Sequence, residues 1–322
     1  MNALKAYTEF IDAELEKVHF PSGPAELYDP LRYFMSLGGK RIRPILTILG
    51  SEMFGSSKKA AIPQALSMEL FHNFSLIHDD IMDDAPVRRN QATVHEKWNS
   101  NIAILSGDVL LIKAYQLLSE IAPDVLPRAL DLFSTTAVDV CEGQQMDMNF
   151  ESRLDVTISE YIEMIRLKTS VLLGASLKMG ALVAGASEKD QQHIYNFGQN
   201  IGIAFQIQDD ILDLYADPEK FGKQVGGDVI ANKKTLLYLT AVSKVTMEQK
   251  EILKQLHSEG DIALKIGRTK ELFDHLQVRE TCAQMMKSYY DKAMESLNSI
   301  DVDETHKSTL ISLAEFLIQR DN

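Results

Sequence analysis

An all-α fold is what this sequence predicts, on three observations. Apolar residues recur at spacings of three and four through most of the chain, which is the period of a helix. All nine prolines lie at or before Pro218, and those from Pro44 onward stand far enough apart to punctuate long helices rather than prevent them. No alternating β-branched run ends in the Asn-Gly or Asp-Gly turn that announces a hairpin. The 322 residues allow one large domain or two ordinary ones, and 45% apolar with 25% charged residues is a globular balance. Charge excludes one class of function. With 33 Lys+Arg against 46 Asp+Glu the net charge is −13, so a nucleic-acid phosphate backbone is not the expected partner. An anionic substrate would require a few cations gathered locally, or a metal.

The elements follow in chain order. Gly38-Gly39-Lys40-Arg41-Ile42-Arg43-Pro44 places three cations at the start of an apolar helix, where unpaired amide N–H groups also favour anions. A helix over 60–82 carries Ala61, Ala65, Met68, Phe71 or His72, Ser75 and Met82 at helical spacing, and its end holds Asp79-Asp80-Ile81-Met82-Asp83, with Asp84 next. Arg88-Arg89 follow. Helices are then predicted over 101–121, 124–148 and 159–184, the last interrupted at Lys168-Thr169-Ser170. Over 189–215, Ile194, Phe197, Ile201, Phe205 and Leu212 form one apolar row while Ile203, Ile207, Ile211 and Leu214 cover much of the rest. A helix so apolar belongs inside a bundle. Yet it carries a polar stripe of Gln199, Gly202, Gln206, Asp209, Asp210 and Asp213. Phe221 to Asp228 reads as a Gly/Lys loop, Asn232-Lys233-Lys234-Thr235 opens a helix over 232–257, and helices over 271–298 and 303–319 complete the chain.

The chemistry lies in the two Asp-Asp-x-x-Asp runs. On a helix the first and last aspartates of each stand one turn apart on one face. Like charges so close need raised pKa values or a bound cation. Oxygen-only ligands on rigid helices suit magnesium, which completes its shell with water and substrate phosphates. A solvated acidic face is the ordinary explanation for one such run; two, each inside an otherwise apolar helix, argue against it. Basic groups alternate with them along the chain: Lys40 to Arg43, Arg88-Arg89, Lys168, Lys223 and Lys233. That combination describes a site for two diphosphates. Cys141 and Cys282 make no disulfide framework and no zinc pattern. No apolar run approaches the ~18 residues of a membrane span, and the acidic N-terminal segment is no secretory signal, so a cytoplasmic location is expected.

The chain resembles the trans-isoprenyl diphosphate synthase (polyprenyl synthetase) family. The motifs that carry the resemblance are GGKRIRP at 38–44, HNFSLIHDDIMD at 72–83, Arg88-Arg89, SGD at 106–108, GQQMD at 143–147, Lys168-Thr169, FQIQDDILD at 205–213, GKQVGGD at 222–228 and NKKT at 232–235. Residues 236–322 carry none. The resemblance implies a single domain over 1–322, an antiparallel helical bundle around a deep cavity, and a homodimer. It implies head-to-tail condensation of isopentenyl diphosphate with dimethylallyl, geranyl or farnesyl diphosphate, with three Mg2+ ions per site. Asp79 and Asp83 would hold magnesium on the allylic diphosphate, with Asp80 and Asp84 in support; Asp209 and Asp213 would hold another from the facing helix. Arg88, Lys168, Thr169, Gln206, Lys223 and Lys233 would line the same diphosphate. Lys40, Arg43, His72 and Arg89 would bind that of isopentenyl diphosphate. Asn90 stands where the family usually has Gly, and asparagine tolerates the left-handed turn. A terpene cyclase usually pairs one aspartate-rich motif with an Asn/Ser/Glu motif, which this chain lacks; a non-catalytic subunit would have lost charged residues that are all present here.

Product length is read from one helix. Phe74 lies five residues before Asp79, about 7.5 Å deeper at 1.5 Å per residue, and its ring can floor the growing chain. Ser75 is small and leaves room above it. In the family this resembles the geranylgeranyl pattern, so a twenty-carbon product is expected, with fifteen carbons as the alternative and long polyprenyl chains less favoured.

Overall fold

A computed structural model describes residues 2–217 and 225–318, which are helical almost throughout. They form two compact units. The first comprises residues 1–133 and 175–191, the second 134–174 and 192–322. In chain order the elements are α1 (Asn2–Leu15), α2 (Ala25–Ser36), α3 (Ile42–Glu52), α4 (Ile62–Met82), β1 (Val87–Arg88), β2 (Gln91–Ala92), α5 (Val94–Lys97) and α6 (Ser100–Leu118). Then come α7 (Leu126–Ser152), α8 (Ile158–Ile165), a π-helical turn (Arg166–Ser170), α9 (Val171–Val183) and α10 (Glu188–Tyr215). The rest are α11 (Gly227–Ile230), α12 (Leu236–Lys244), α13 (Met247–His257), α14 (Ile262–His275), α15 (Val278–Asn298) and α16 (Glu304–Ile318).

In the first unit α4 packs chiefly on α6 and α3, and α2 also packs on α6. Leu31, Phe34, Ile45, Ile48, Met68 and Leu70 are buried in its core. The turn before α3 is built by conformation: Gly38 (φ 72°), Gly39 (φ 157°) and Arg41 (φ 50°) all have positive φ. Arg41 is buried there, its guanidinium on Glu69 at 2.6 Å and Asp12 at 2.9 Å, which ties α1, α3 and α4 together. The backbones of α3 and α9 touch. A Cβ on Gly180 would collide with the Thr47 carbonyl oxygen, and one on Gly50 with that of Leu177.

A minimal hairpin exists, β1 pairing antiparallel with β2, although no hairpin signal was found. Its turn residues, Arg89 (φ 53°) and Asn90 (φ 62°), are both left-handed, the requirement of a type I′ turn, and Asn90 meets it without glycine. α6 passes a length-and-composition test for a membrane span, which core helices of folded proteins also pass. Asp108 and Lys113 interrupt it, so the sequence shows no continuous run. A third of it is buried within the protein, and it packs on α4, α2 and α5.

The second unit has its own core, including Phe150, Tyr161, Ile165, Ile207, Ile211, Leu236, Phe273 and Val278. The interruption expected at Lys168-Thr169 is the π-helical turn: the Val171 N–H reaches back to the Arg166 carbonyl, and the Ser170 hydroxyl donates to that of Ile165 at 3.1 Å. The helix expected over 232–257 is two, because Thr246 and Gln249 form a capping box that starts α13. That over 271–298 is also two, because Gln277 adopts a left-handed conformation (φ 53°) between α14 and α15.

Gly180→Ala is expected to lower stability by about 1–3 kcal/mol through overpacking against α3. Thermal or urea denaturation measures it, and an unchanged midpoint would contradict the close approach.

Candidate active site

The first cluster gathers basic groups on α3, α4 and the hairpin. Arg43 Nη1 donates to His72 Nε2 at 3.0 Å. Burial, and then the neighbouring Arg43, Arg89 and Arg88, hold the His72 pKa well below its ordinary value, so the imidazole is neutral and accepts. Burial also pushes Arg43 down to about 10 and lowers Arg89. The Arg89 guanidinium lies over Gly39, where an added Cβ would stand 3.0 Å from Nη2. Arg43 Nε and Arg89 Nη1 are buried with no hydrogen-bond partner. Unpaired buried donors on cations are costly, and an anion would satisfy both. Lys40 is exposed at the same Gly-Gly turn.

One helical turn links Asp79 and Asp83, the Asp83 N–H donating to the Asp79 carbonyl at 2.9 Å. Asp80 is used differently. It is buried, and Arg88 Nε holds its two oxygens at 2.7 and 2.9 Å. Burial still raises its pKa, against the pull of Arg88. Asp80 therefore orients the hairpin that carries Arg88 and Arg89. Sequence reasoning missed a further group beside it: Asp84, His95 and Glu96 bring one ligand atom each within 4.8 Å of one another. Both ring nitrogens of His95 are buried without a hydrogen-bond partner. Phe74 and Ser75 are half-buried on α4, with Phe74 between the rings of Phe71 and His78.

The second cluster, in the second unit, repeats the division of labour. Asp210 accepts from the Tyr161 hydroxyl at 2.6 Å and from the Leu236 N–H at 3.1 Å, tying α10 to α8 and α12. Burial pushes its pKa up to about 7 against those hydrogen bonds. Asp213 accepts from the Asp228 N–H at 3.0 Å and so caps α11. Asp228 is itself pushed up to about 6 by burial and by Asp213; Lys233 Nζ stands 3.9 Å from it. Asp209 and Gln206 are half-buried on the same helix. Lys168 pairs with Asp147 at 2.6 Å, and Thr169 follows it in the π-helical turn. Gly143, four residues before Asp147, is the reason α7 can lie there, since a Cβ would collide with the Lys168 backbone nitrogen. The GQQMD motif contained this signal, a glycine one turn before an acid. Lys223 lies outside the described residues.

Comparison with known proteins settles the family. The polyprenyl synthetase family model matches residues 24–275, which spans both aspartate runs and every motif named above. The chain belongs to the polyprenyl synthetase family. It is 36% identical to a geranylgeranyl diphosphate synthase of Methanosarcina mazei over 324 residues, covering 100% of this chain and 98% of that protein. It is 35% identical to a geranylfarnesyl diphosphate synthase of Aeropyrum pernix over 92% of this chain and 95% of that one. A crystal structure of a geranylgeranyl pyrophosphate synthase matches with a TM-score of 0.94 and 42% identity, each chain covered fully. This polyprenyl synthetase has the all-α isoprenoid synthase fold and is an isoprenyl diphosphate synthase, a prenyltransferase.

Inorganic diphosphate is expected to bind the Arg43–His72–Arg89 cluster and raise the melting temperature. Arg89→Ala should weaken that binding at least about tenfold, the worth of a charge-assisted hydrogen bond. Equal calorimetric affinity in wild type and variant would contradict an anion site here.

Proposed function

We propose that this enzyme condenses isopentenyl diphosphate with allylic diphosphates up to the twenty-carbon stage, making geranylgeranyl diphosphate in the cytoplasm as a homodimer of single-domain chains. One observation carries the site assignment. In each Asp-Asp-x-x-Asp run the second aspartate is committed to the scaffold, Asp80 to Arg88 and Asp210 to Tyr161 and the Leu236 N–H. The family resemblance gives the metal-holding role to Asp79 and Asp83 in the first run and to Asp209 with Asp213 in the second, Asp213 also accepting from the Asp228 N–H. Their donor set is oxygen only, which fits Mg2+, and the family resemblance gives three ions. Bound magnesium would supply Lewis-acid stabilisation of the departing diphosphate.

The chain's own groups do the rest. Lys168, Thr169, Gln206, Arg88, Lys223 and Lys233 hold and orient the allylic diphosphate, Asp147 steadying the Lys168 ammonium. Lys40, Arg43, His72 and Arg89 hold isopentenyl diphosphate, where a neutral His72 leaves the positive charge on the guanidinium groups. Once the carbon–oxygen bond of the allylic diphosphate breaks, the double bond of isopentenyl diphosphate attacks the cation, and the proton lost goes to the released diphosphate. Water must be kept from the site, where it would quench the cation. The homodimer is supported by the apolar face that α6 leaves exposed: Ile104, Leu105 and Ile112 are 42%, 58% and 57% exposed.

Labelled isopentenyl diphosphate with each allylic starter, with magnesium and with chelator, followed by chromatography, tests the reading. A magnesium-dependent twenty-carbon product is expected; a fifteen- or twenty-five-carbon main product would overturn the length assignment. Phe74→Ala should lengthen the product and Ser75→Phe shorten it in the same assay, and an unchanged distribution in Phe74→Ala would move the floor elsewhere.

A further inference from the structure

Phe74 does not stand alone. Its ring is one member of a row that runs through the first unit. The His78 and Phe74 centroids are 4.7 Å apart at 63°, Phe74 and Phe71 are 5.7 Å apart, Phe71 and Phe133 5.3 Å, and Phe133 and Tyr115 4.8 Å. The deep end is anchored by burial, since Phe71 and Phe133 are each 2% exposed. The upper end is anchored by a hydrogen bond. His78 Nε2 lies 3.2 Å from the Ile104 carbonyl oxygen on α6 and donates to it in the tautomer that carries the proton there. Asp108 Oδ1 stands 3.8 Å from the same nitrogen. Gly107 makes the approach possible, because a Cβ there would overlap the imidazole.

We propose that His78 is a product-length determinant of this enzyme: docked on α6 beside Gly107, its imidazole fixes the Phe74 ring, so the stop on chain growth is the braced pair rather than Phe74 alone. This rests on the reading of Phe74 as the floor. A half-buried phenylalanine has free rotamer wells unless its neighbours close them. Here Phe71, three residues before, and His78, four residues after, flank the ring on one helix face, and an edge-to-face contact defines its orientation. Without the brace the ring swings aside under the growing chain, and a further five-carbon unit is added before release. His78 is a positioning residue in this account. It acts on specificity through Phe74 and leaves the departing diphosphate to other groups.

The test is the ratio of twenty-five-carbon to twenty-carbon product at low conversion, from farnesyl diphosphate and labelled isopentenyl diphosphate. That ratio does not depend on total turnover, so a lower rate beside Asp79 does not obscure it. His78→Ala is expected to raise the ratio at least tenfold. Gly107→Ala, which displaces the imidazole from the other helix, should raise it in the same direction. The double variant His78→Ala/Phe74→Ala should match Phe74→Ala alone, because both changes remove one stop. Wild-type ratios in both His78→Ala and Gly107→Ala, with a raised ratio in Phe74→Ala, would overturn the proposal and leave the Phe74 floor standing. A raised ratio in His78→Ala with a wild-type ratio in Phe74→Ala would overturn it as well, since His78 would then act without Phe74. Wild-type ratios in all three would overturn both readings.

Discussion

Two runs of aspartate stand on helices whose other faces are buried in hydrocarbon, and the cost of that placement governs the structure around them. Carboxylates there lose hydration and repel one another, so each must be neutralised, hydrogen-bonded or given a cation. The chain solves part of the problem internally. Asp80 takes a bidentate guanidinium from Arg88, and Asp210 takes a phenol and a backbone N–H. Both solutions do structural work: one sets the hairpin that presents Arg89, the other joins α10 to α8 and α12. In the proposed function, the other aspartates of the two runs are the ones that would hold magnesium.

The complementary strain sits on the cationic side. Arg43, His72 and Arg89 crowd together with burial lowering all three pKa values, and two guanidinium nitrogens lack partners. In a protein of net charge −13, such a buried cationic cluster is what the proposed diphosphate site would need. Negative and positive excesses, each held at a cost on its own element, are what the proposed binding of metal and diphosphate would repay. Glycines recur wherever this charge needs backbone room, at Gly39 under Arg89 and at Gly143 beside Lys168.

Much of this was legible in the sequence for identifiable reasons. Long amphipathic periods located α4, α6, α7 and α10, and the polar Lys168-Thr169 step inside an apolar stretch marked the π-helical turn. The left-handed Asn90 was readable from residue type. What was not legible depended on contacts between distant segments or on single backbone angles. Val245 and Gln277 break helices through their φ/ψ values while their neighbours keep a helical period. The resemblance gave Arg88 a substrate role, and its pairing with Asp80 across eight residues is a contact that no motif spells out. Nor does any sequence spacing reveal that His78 crosses to the Ile104 carbonyl, or that Gly107 is small for that reason.

The central claim is that the first aspartate of each run holds metal for diphosphate departure while the second holds the scaffold. Single-turnover condensation rates of Asp79→Ala and Asp209→Ala, at saturating magnesium and with far-ultraviolet circular dichroism recorded on the same samples, test it most directly. The account predicts rates lower by about three orders of magnitude or more with helical signal unchanged in both. Near-normal turnover in either variant, or loss of the helical signal, would contradict it.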